Sequence, residues 1–315
     1  MNDGPQDRSA APVACVIICS YNRAKLLERA LRSLARQTLS PDRFELVVVD
    51  DGSSDATASV CESLRRDGLP NLKCVRTGHA GLASARNTGV RSTTAERILF
   101  MDDDCVAAPD WVERMIAALG RHPVIAGAVA TSRDSFCRLC HNISQFYAFM
   151  PTRKPGPVDF IAGANMGFHR MVIQKVGGFE DNIRAAEDME FILRARGDGY
   201  RPCFAPEAIV THLPDRGTLA EIIRYAARHA ESTILLRQQH RRILRTPFLL
   251  CSPALLLAGA PLISFKVTAG VYMGDRKLLR LWWTAPVVYA TKLAWCVGAA
   301  RALRRYRKEP SEVQP

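Results

Sequence analysis

The sequence predicts an α/β fold, a mostly parallel sheet with helices on both faces, followed by a C-terminal helical segment of different character. Three observations carry this expectation. Short, almost wholly apolar runs recur through the first hundred residues, separated by stretches of helical period. These runs are continuous rather than alternating, the pattern of strands buried on both faces. The net charge of +12 lies entirely outside that region: residues 1–215 carry 26 Lys and Arg against 26 Asp and Glu, and residues 216–315 carry 17 against 5.

The first strand is VACVIICS (13–20), followed by a helix over 23–37 with Leu26, Leu27, Ala30, Leu31 and Leu34 on one face. FELVVVD (44–50) is the second strand and ends in the turn DDGSSD. A helix spans 55–66, LKCVR (72–76) is the third strand, GLASARNTGVR opens another helix, and RILFMD (97–102) is the fourth strand. Ligands of such sheets lie beyond the carboxyl ends of the strands, so the tips SYN, DDGSSD and DDD are predicted to form one site.

A dinucleotide-binding domain would show G-x-G-x-x-G after the first strand, but that turn is CSYNRA, and a P-loop is equally absent. Phosphate must be gripped some other way. Asp102, Asp103 and Asp104 stand side by side and repel, and a helix N-cap ahead of Pro109 and Asp110 would use only one of them. A carboxylate cluster suits a hard divalent cation, Mg²⁺ or Mn²⁺, which takes few protein oxygens and shares the rest with a diphosphate.

In this order and spacing VIICSYNR, VVVDDGSSD, GLASARNTG, FMDDDC and AAEDMEF resemble the family 2 glycosyltransferases of GT-A fold, over about residues 13–215. The resemblance implies an inverting enzyme that uses a nucleotide-diphosphate sugar. It assigns Tyr21, Asn22 and Asp51 to the nucleotide base, and Arg86 to the diphosphate, which its guanidinium could bind bidentately. Asp102 is assigned to the ribose or metal and Asp104 to the metal, with Asp103 pointing away. Gly163, Ala164 and Asn165, in IAGANMGFHR, fall on the acceptor side. Asp188 matches the catalytic base, and Glu187, a like charge beside it, could raise its pKa. APEAIVTHLP (205–214) reads as an edge strand ending at His212, which matches a further metal ligand. Processive members carry Q-x-x-R-W after the base. Here QQHRR (238–242) places Arg242 where the tryptophan would stand, which favours transfer of a single sugar.

The C-terminal hundred residues supply two long apolar runs, 246–265 and 281–300, the second interrupted only by Lys292. Trp282, Trp283, Tyr289 and Trp295 lie in the second run, as at a membrane interface. A hairpin would set nine basic residues on the catalytic side and four, Lys266 to Arg280, in the connection. Pro253, Pro261 and Lys292 fit a shallow pair nearly as well. The expected organisation is a flexible segment 1–12, a GT-A domain 13–215, a basic amphipathic linker helix 216–245, two membrane-associated helices 246–300, and a basic tail 301–315. No secretory signal is visible before the first strand, and the domain is expected on the cytoplasmic face of the membrane. The ten cysteines are expected to be mostly free and buried, CRLCH (137–141) lacking the further ligands that zinc needs. The expected partners are a nucleotide-diphosphate sugar, a lipid-linked or glycan acceptor, and the membrane surface or bilayer, without nucleic acid. A polyprenyl-phosphate glycosyltransferase, or a membrane protein that binds nucleotide sugar without catalysis, is the alternative.

Overall fold

A computed structural model describes residues 12–183, 185–241 and 243–308. The expected N-terminal segment falls almost wholly outside the described residues, as do Arg242 and the last seven residues of the basic tail. The chain opens with β1 (Cys15–Ser20), α1 (Ala24–Leu34), β2 (Glu45–Asp50), α2 (Thr57–Arg66), β3 (Leu72–Arg76), α3 (Leu82–Arg91) and β4 (Arg97–Met101). β1 pairs in parallel with β2 and β4, and β2 with β3. Alternate residues of these strands face opposite cores, as the pleat requires. Val16, Ile18 and Val48 pack beneath α1 with Leu27, Leu31 and Leu34, whereas Ile17, Val47 and Phe100 pack beneath α3 and the later helices. Burial on both faces explains the continuous apolar runs.

Beyond β4 the sheet becomes mixed. Only Asp102, Asp103 and Asp104 separate β4 from β5 (Cys105–Ala107), too few residues for a helical crossover. The chain therefore crosses at the carboxylate cluster to the far edge of the same sheet, where β5 lies, and then runs into α4 (Trp111–Leu119) and β6 (Val124–Thr131). After α5 (Phe136–Phe146) and β7 (Gly156–Pro157), β8 (Asn165–His169) lies antiparallel between β4 and β6. α6 (Arg170–Val176) and α7 (Glu187–Gly197) lead to β9 (Cys203–His212). The strand order is β3-β2-β1-β4-β8-β6-β9-β5, with β7 also on β9. The edge position expected for 205–214 is thus corrected: β6 flanks β9 on one side, and β5 and β7 cover its other edge.

The C-terminal segment departs further from expectation. α8 (Leu219–Gln239) starts in a capping box of Thr218 and Glu221, and is followed by α9 (Pro253–Met273), α10 (Arg276–Leu279) and α11 (Ala285–Lys308). α11 absorbs most of the second apolar run and continues through Arg301, Arg304 and Arg305, so this run and the start of the tail are one helix. It packs on α8 and α9 around Ala230, Ile234, Leu256, Cys296, Ala299 and Leu303. A Cβ at Gly298 would lie 2.0 Å from the Ala227 carbonyl oxygen, so only glycine permits this approach to α8. α11 also meets α5: the Ser144 and Thr291 hydroxyls are 2.7 Å apart, and Lys292 Nζ donates to the Ser144 carbonyl at 2.6 Å. The second run is therefore a helix packed against α5, α8 and α9.

α9 differs. Among the described residues it is the one helix long and apolar enough to cross a membrane, and only 28% of its apolar window is buried. Leu255, Leu262, Phe265 and Met273 face outward along it, and Phe248, Trp282 and Trp283 are exposed at its two ends.

Candidate active site

The tips of β1, β2 and β4 converge as expected. Tyr21 is exposed and stacks on His79, ring centroids 3.9 Å apart. Asn22 takes a left-handed φ of 53° and accepts the Ser54 N–H at 2.7 Å, which ties the SYN turn to the DDGSSD turn. Asp51 is buried. Its oxygens accept the N–H groups of Ala80 and Gly81, at 2.8 and 2.9 Å, and the Thr77 hydroxyl at 2.8 Å. It anchors the 77–81 loop that carries His79 beside Tyr21.

The three carboxylates at the end of β4 point three ways. Asp103 turns back into the fold, where Ser20 Oγ and Arg23 donate to it at 2.7 and 3.0 Å, and burial pushes its carboxyl up to about 6. Asp102 is half-exposed and turned toward Arg86, at 3.5 Å. Asp104 is buried and faces His212, with its Oδ1 3.3 Å from Nε2. Burial works to raise the Asp104 carboxyl, but the adjacent His212 ring and the Arg23 guanidinium hold it well below the ordinary range.

That pair has an unusual hydrogen-bond state. Asn142 Nδ2 donates to the His212 carbonyl at 2.8 Å, which orients its Oδ1 to accept from His212 Nδ1–H at 2.7 Å. Nε2 is left with its lone pair aimed at Asp104 Oδ1, itself buried without a donor. Two acceptors face each other, and either a proton on Nε2 or a cation must join them. The donor set, one imidazole nitrogen and one carboxylate oxygen, with the Asn142 amide holding the far side of the imidazole, fits Mn²⁺ or Mg²⁺. Among the described residues no three His, Cys, Asp or Glu side chains form a closed cage. A cation here would take its remaining oxygens from ligand and water, as these ions commonly do.

Arg86 corrects an expectation. It is 2% exposed, ion-paired through Nη1 with Glu187, and its Nη2 donates to the Gly163 carbonyl at 3.2 Å. The guanidinium is committed within the protein and presents no open fork to a diphosphate. Beyond it Asp188, half-buried at the first turn of α7, accepts the Gly163 N–H on Oδ2 and the Met189 N–H on Oδ1, at 2.8 and 2.7 Å. Burial raises the Asp188 carboxyl above its ordinary value, against the pull of Arg86, and raises Glu187 in the same way. Gly163 is needed for this contact, since a Cβ there would lie 2.8 Å from Asp188 Oδ2. Ala164 is buried behind it and accepts the Asp102 N–H at 3.3 Å.

Asn165 is a second correction. It is fully buried, accepts Trp111 Nε1–H at 2.9 Å and donates to the carbonyls of Ala128 and Ala208 at 2.8 and 2.9 Å. It fastens β8 to β6, β9 and α4, and is closed to any acceptor.

Asp188 borders a cavity of about 1330 Å³ between the sheet and the C-terminal helices. Its walls include Phe160 and Trp295, and His229, Thr233 and Arg237 line it from one stripe of α8. The sequence offered a signal for these, a spacing of i, i+4, i+8 on a helix assigned only to linkage. Asn142 was hidden in CRLCHN, whose thiols Cys137 and Cys140 are free like the other eight cysteines.

The glycosyl transferase family 2 model matches residues 15–177, and the glycosyl transferase family group 2 model matches residues 97–297. The chain is 26% identical over 208 residues to glycosyltransferase AglE of Haloferax volcanii, covering 65% of this chain and 68% of that protein. It is 43% identical over 116 residues to validoxylamine A glucosyltransferase of Streptomyces hygroscopicus subsp. limoneus, which is 36% of this chain but only 25% of that longer protein. The mannosyltransferase PcManGT from Pyrobaculum calidifontis, solved in complex with GDP-Man and Mn²⁺, superposes with a TM-score of 0.59 at 22% identity. The match covers 92% of this chain and 88% of that one, and is a likeness of fold. With its family match spanning more than half of the sequence and its strand tips gathered on one GT-A sheet edge, the chain belongs to glycosyl transferase family 2.

Proposed function

We propose that this glycosyltransferase transfers a single sugar, with inversion, from a nucleotide-diphosphate sugar to an acceptor near a membrane surface. Tyr21, Asn22 and Asp51 would lie beside the base, and Asp104 and His212 would hold Mg²⁺ or Mn²⁺, with Asp102 beside them. The fold neighbour solved with GDP-Man and Mn²⁺ supports a donor and a cation of this kind. When bound, the cation offsets the negative charge of the diphosphate leaving group.

The observation that carries the proposal is the Asp188 carboxylate, which lines the cavity with both oxygens oriented by backbone N–H groups. As an acceptor hydroxyl attacks the anomeric carbon, its proton passes to Asp188 and the bond to the diphosphate breaks on the opposite face. Burial, which raises the Asp188 carboxyl, makes it a better proton acceptor than a solvated aspartate. Arg86 and Glu187 position this group by fixing the Gly163 carbonyl and the start of α7. A protein that only sensed nucleotide sugar would have no use for such a base. The outward apolar face of α9, with Trp282 and Trp283 near its end, supports contact with a lipid surface at the cytoplasmic face. The domain scheme is accordingly a catalytic unit braced by α8 and α11, with α9 as its membrane-facing helix.

Replacing the base tests the proposal. Asp188→Asn is expected to keep donor binding while transfer falls by at least ~100-fold, the low end for a general base. Near-normal turnover would refute the assignment.

A further inference from the structure

α2 and β3 meet away from the catalytic cavity, at the open edge of the sheet. Among the described residues β3 pairs only with β2. Leu72, Cys74 and Arg76 alternate onto one face of β3, and Leu72 packs in one core with Cys61 and Leu64, the buried stripe of α2. The thiols of Cys61 and Cys74 therefore face each other between helix and strand, and the Cys61 S–H donates to Cys74. Both line a cavity of about 500 Å³ together with Asp50 and Arg76.

The pair is asymmetric. Of the ten cysteines only Cys74 is exposed, whereas Cys61 is buried. The hydrogen bond from Cys61 holds the Cys74 thiol below its ordinary value, helped by Arg76 and opposed by burial and Asp50. The same bond, and then burial, push the Cys61 thiol up. An exposed thiol that ionises readily beside a buried one that keeps its proton is the arrangement of an attacking and a resolving cysteine. Neither has a part in the sugar transfer proposed above.

The end of β3 ties this pair to the donor side. Arg76 is in register with Asp50, and its Nη2 donates to the Ser53 carbonyl at 2.7 Å. The Thr77 N–H donates to the Asp50 carbonyl at 2.9 Å, and Ser53 Oγ accepts the Asn22 N–H at 2.9 Å. The 77–81 loop follows directly, fastened to Asp51 and carrying His79 against Tyr21.

We propose that Cys61 and Cys74 form a redox modification site, joined reversibly by hydrogen peroxide, and that the cross-link loosens the 77–81 loop. The Cys74 thiolate attacks one peroxide oxygen, the O–O bond breaks, and the other oxygen takes up a proton and leaves as water. Cys74 is then a sulfenic acid. The Cys61 sulfur attacks the Cys74 sulfur, and the sulfenic hydroxyl leaves with the Cys61 proton as a second water. The two sulfurs have lost two electrons and the peroxide has gained them. A thiol reductant reverses the bond by exchange. The S–S bond is shorter than the thiol contact it replaces, so it draws the edge strand toward α2 and shifts the strand end that Arg76 and Thr77 fasten to the DDGSSD turn. The bearing on donor binding rests on the assignment of Tyr21, Asn22 and Asp51 to the base, and the thiol chemistry does not.

The test treats the full-length protein with hydrogen peroxide, blocks the remaining thiols with iodoacetamide and maps the peptides by mass spectrometry. Cys61–Cys74 is expected to be the first disulfide formed and to disappear with dithiothreitol. Cys61→Ala should stop the reaction at a Cys74 sulfenic acid that dimedone traps, and Cys74→Ser should leave Cys61 reduced. In the cross-linked protein the amides of 77–81 should exchange with deuterium at least ~3-fold faster, and peroxide-treated Cys74→Ser should show no change. Another disulfide forming first, or oxidation of the half-buried Cys137 or Cys251 while Cys74 stays reduced, would overturn the site. Unchanged exchange in the cross-linked protein would overturn its link to the loop. A nucleotide-sugar panel titrated with Mn²⁺ separates the two levels. If the cross-link and the faster exchange appear but no donor binds the reduced protein, the base assignment fails and the modification site stands.

Discussion

Gly163→Ala should impair catalysis with little loss of stability. The added Cβ would sit 2.8 Å from Asp188 Oδ2 and 3.0 Å from Arg86 Nη2, whereas ordinary contact begins at 3.4 Å. Gly163 does not occupy the left-handed region, so the backbone tolerates alanine and the side chains must yield. Arg86 is anchored by Glu187, which leaves Asp188, half-exposed and near the cavity, as the group that moves. A displacement of roughly half an ångström at the base is expected to cost ~10-fold to 100-fold in kcat, given that misplacements near 1 Å cost about 100-fold. The assay is the initial rate of nucleoside diphosphate release, with donor chosen by a nucleotide-sugar panel, alongside a thermal melt and the donor Kd. Donor affinity and melting temperature should stay close to wild type. A kcat within twofold of wild type would show that the Gly163–Asp188 contact does not set the base.

Asn165→Ala should behave in the opposite way, destabilising the fold by roughly 3 kcal/mol because one indole N–H and two carbonyls lose their buried partner. Chemical denaturation measures this, and a loss under 1 kcal/mol would contradict the structural role. The acid limb of kcat should fall above the ordinary aspartate value of 3.8, since Asp188 must be deprotonated to act and burial raises it. Linkage gives the matching sign for stability. Between the ordinary and the raised pKa the folded chain holds the extra proton, so the Asp188 charge weakens the fold as pH rises through that window. Asp188→Asn removes this charge but can accept only one of the two backbone N–H groups, so its melt should depend less on pH across that window than wild type, and an unchanged pH dependence would contradict this. Deletion from about Arg241 onward, which the sequence alone suggests would release a soluble domain, should instead expose Ile143, Ala230 and Ile234 and abolish cooperative unfolding, and a soluble truncation that melts cooperatively would refute the packing of α11.

The strands and their tips were legible because both carry strong local signals. Short continuous apolar runs bounded by turns are the pattern of strands buried on both faces, and carboxylates repeated at their ends have no local structural use. The antiparallel β8 and β5 were not legible, because strand direction is fixed by how the chain returns and not by composition. Asn165 and Arg86 misled for a related reason. Polar residues inside a site motif look like ligand-binding groups, yet each is satisfied by long-range partners, Trp111 and Ala208 for one and Glu187 for the other. The second apolar run shows the same limit, since a helix buried by its neighbours and one buried by lipid have similar composition. Lys292 and Gly298 were the residues that distinguished them, through Ser144 and Ala227 respectively.

The most direct test of the central claim is calorimetric titration of the full-length protein with a panel of nucleotide-diphosphate sugars, with Mn²⁺ and after chelation, in wild type and Asp104→Asn. On the proposed reading a cation joins the unpartnered Asp104 Oδ1 to His212 Nε2, so donor affinity is expected to depend on it. At least one donor should bind wild type with Mn²⁺, lose ~10-fold or more on chelation, and lose as much in Asp104→Asn while the variant remains folded. Donor binding that is unchanged by chelation, or by Asp104→Asn, would contradict the account.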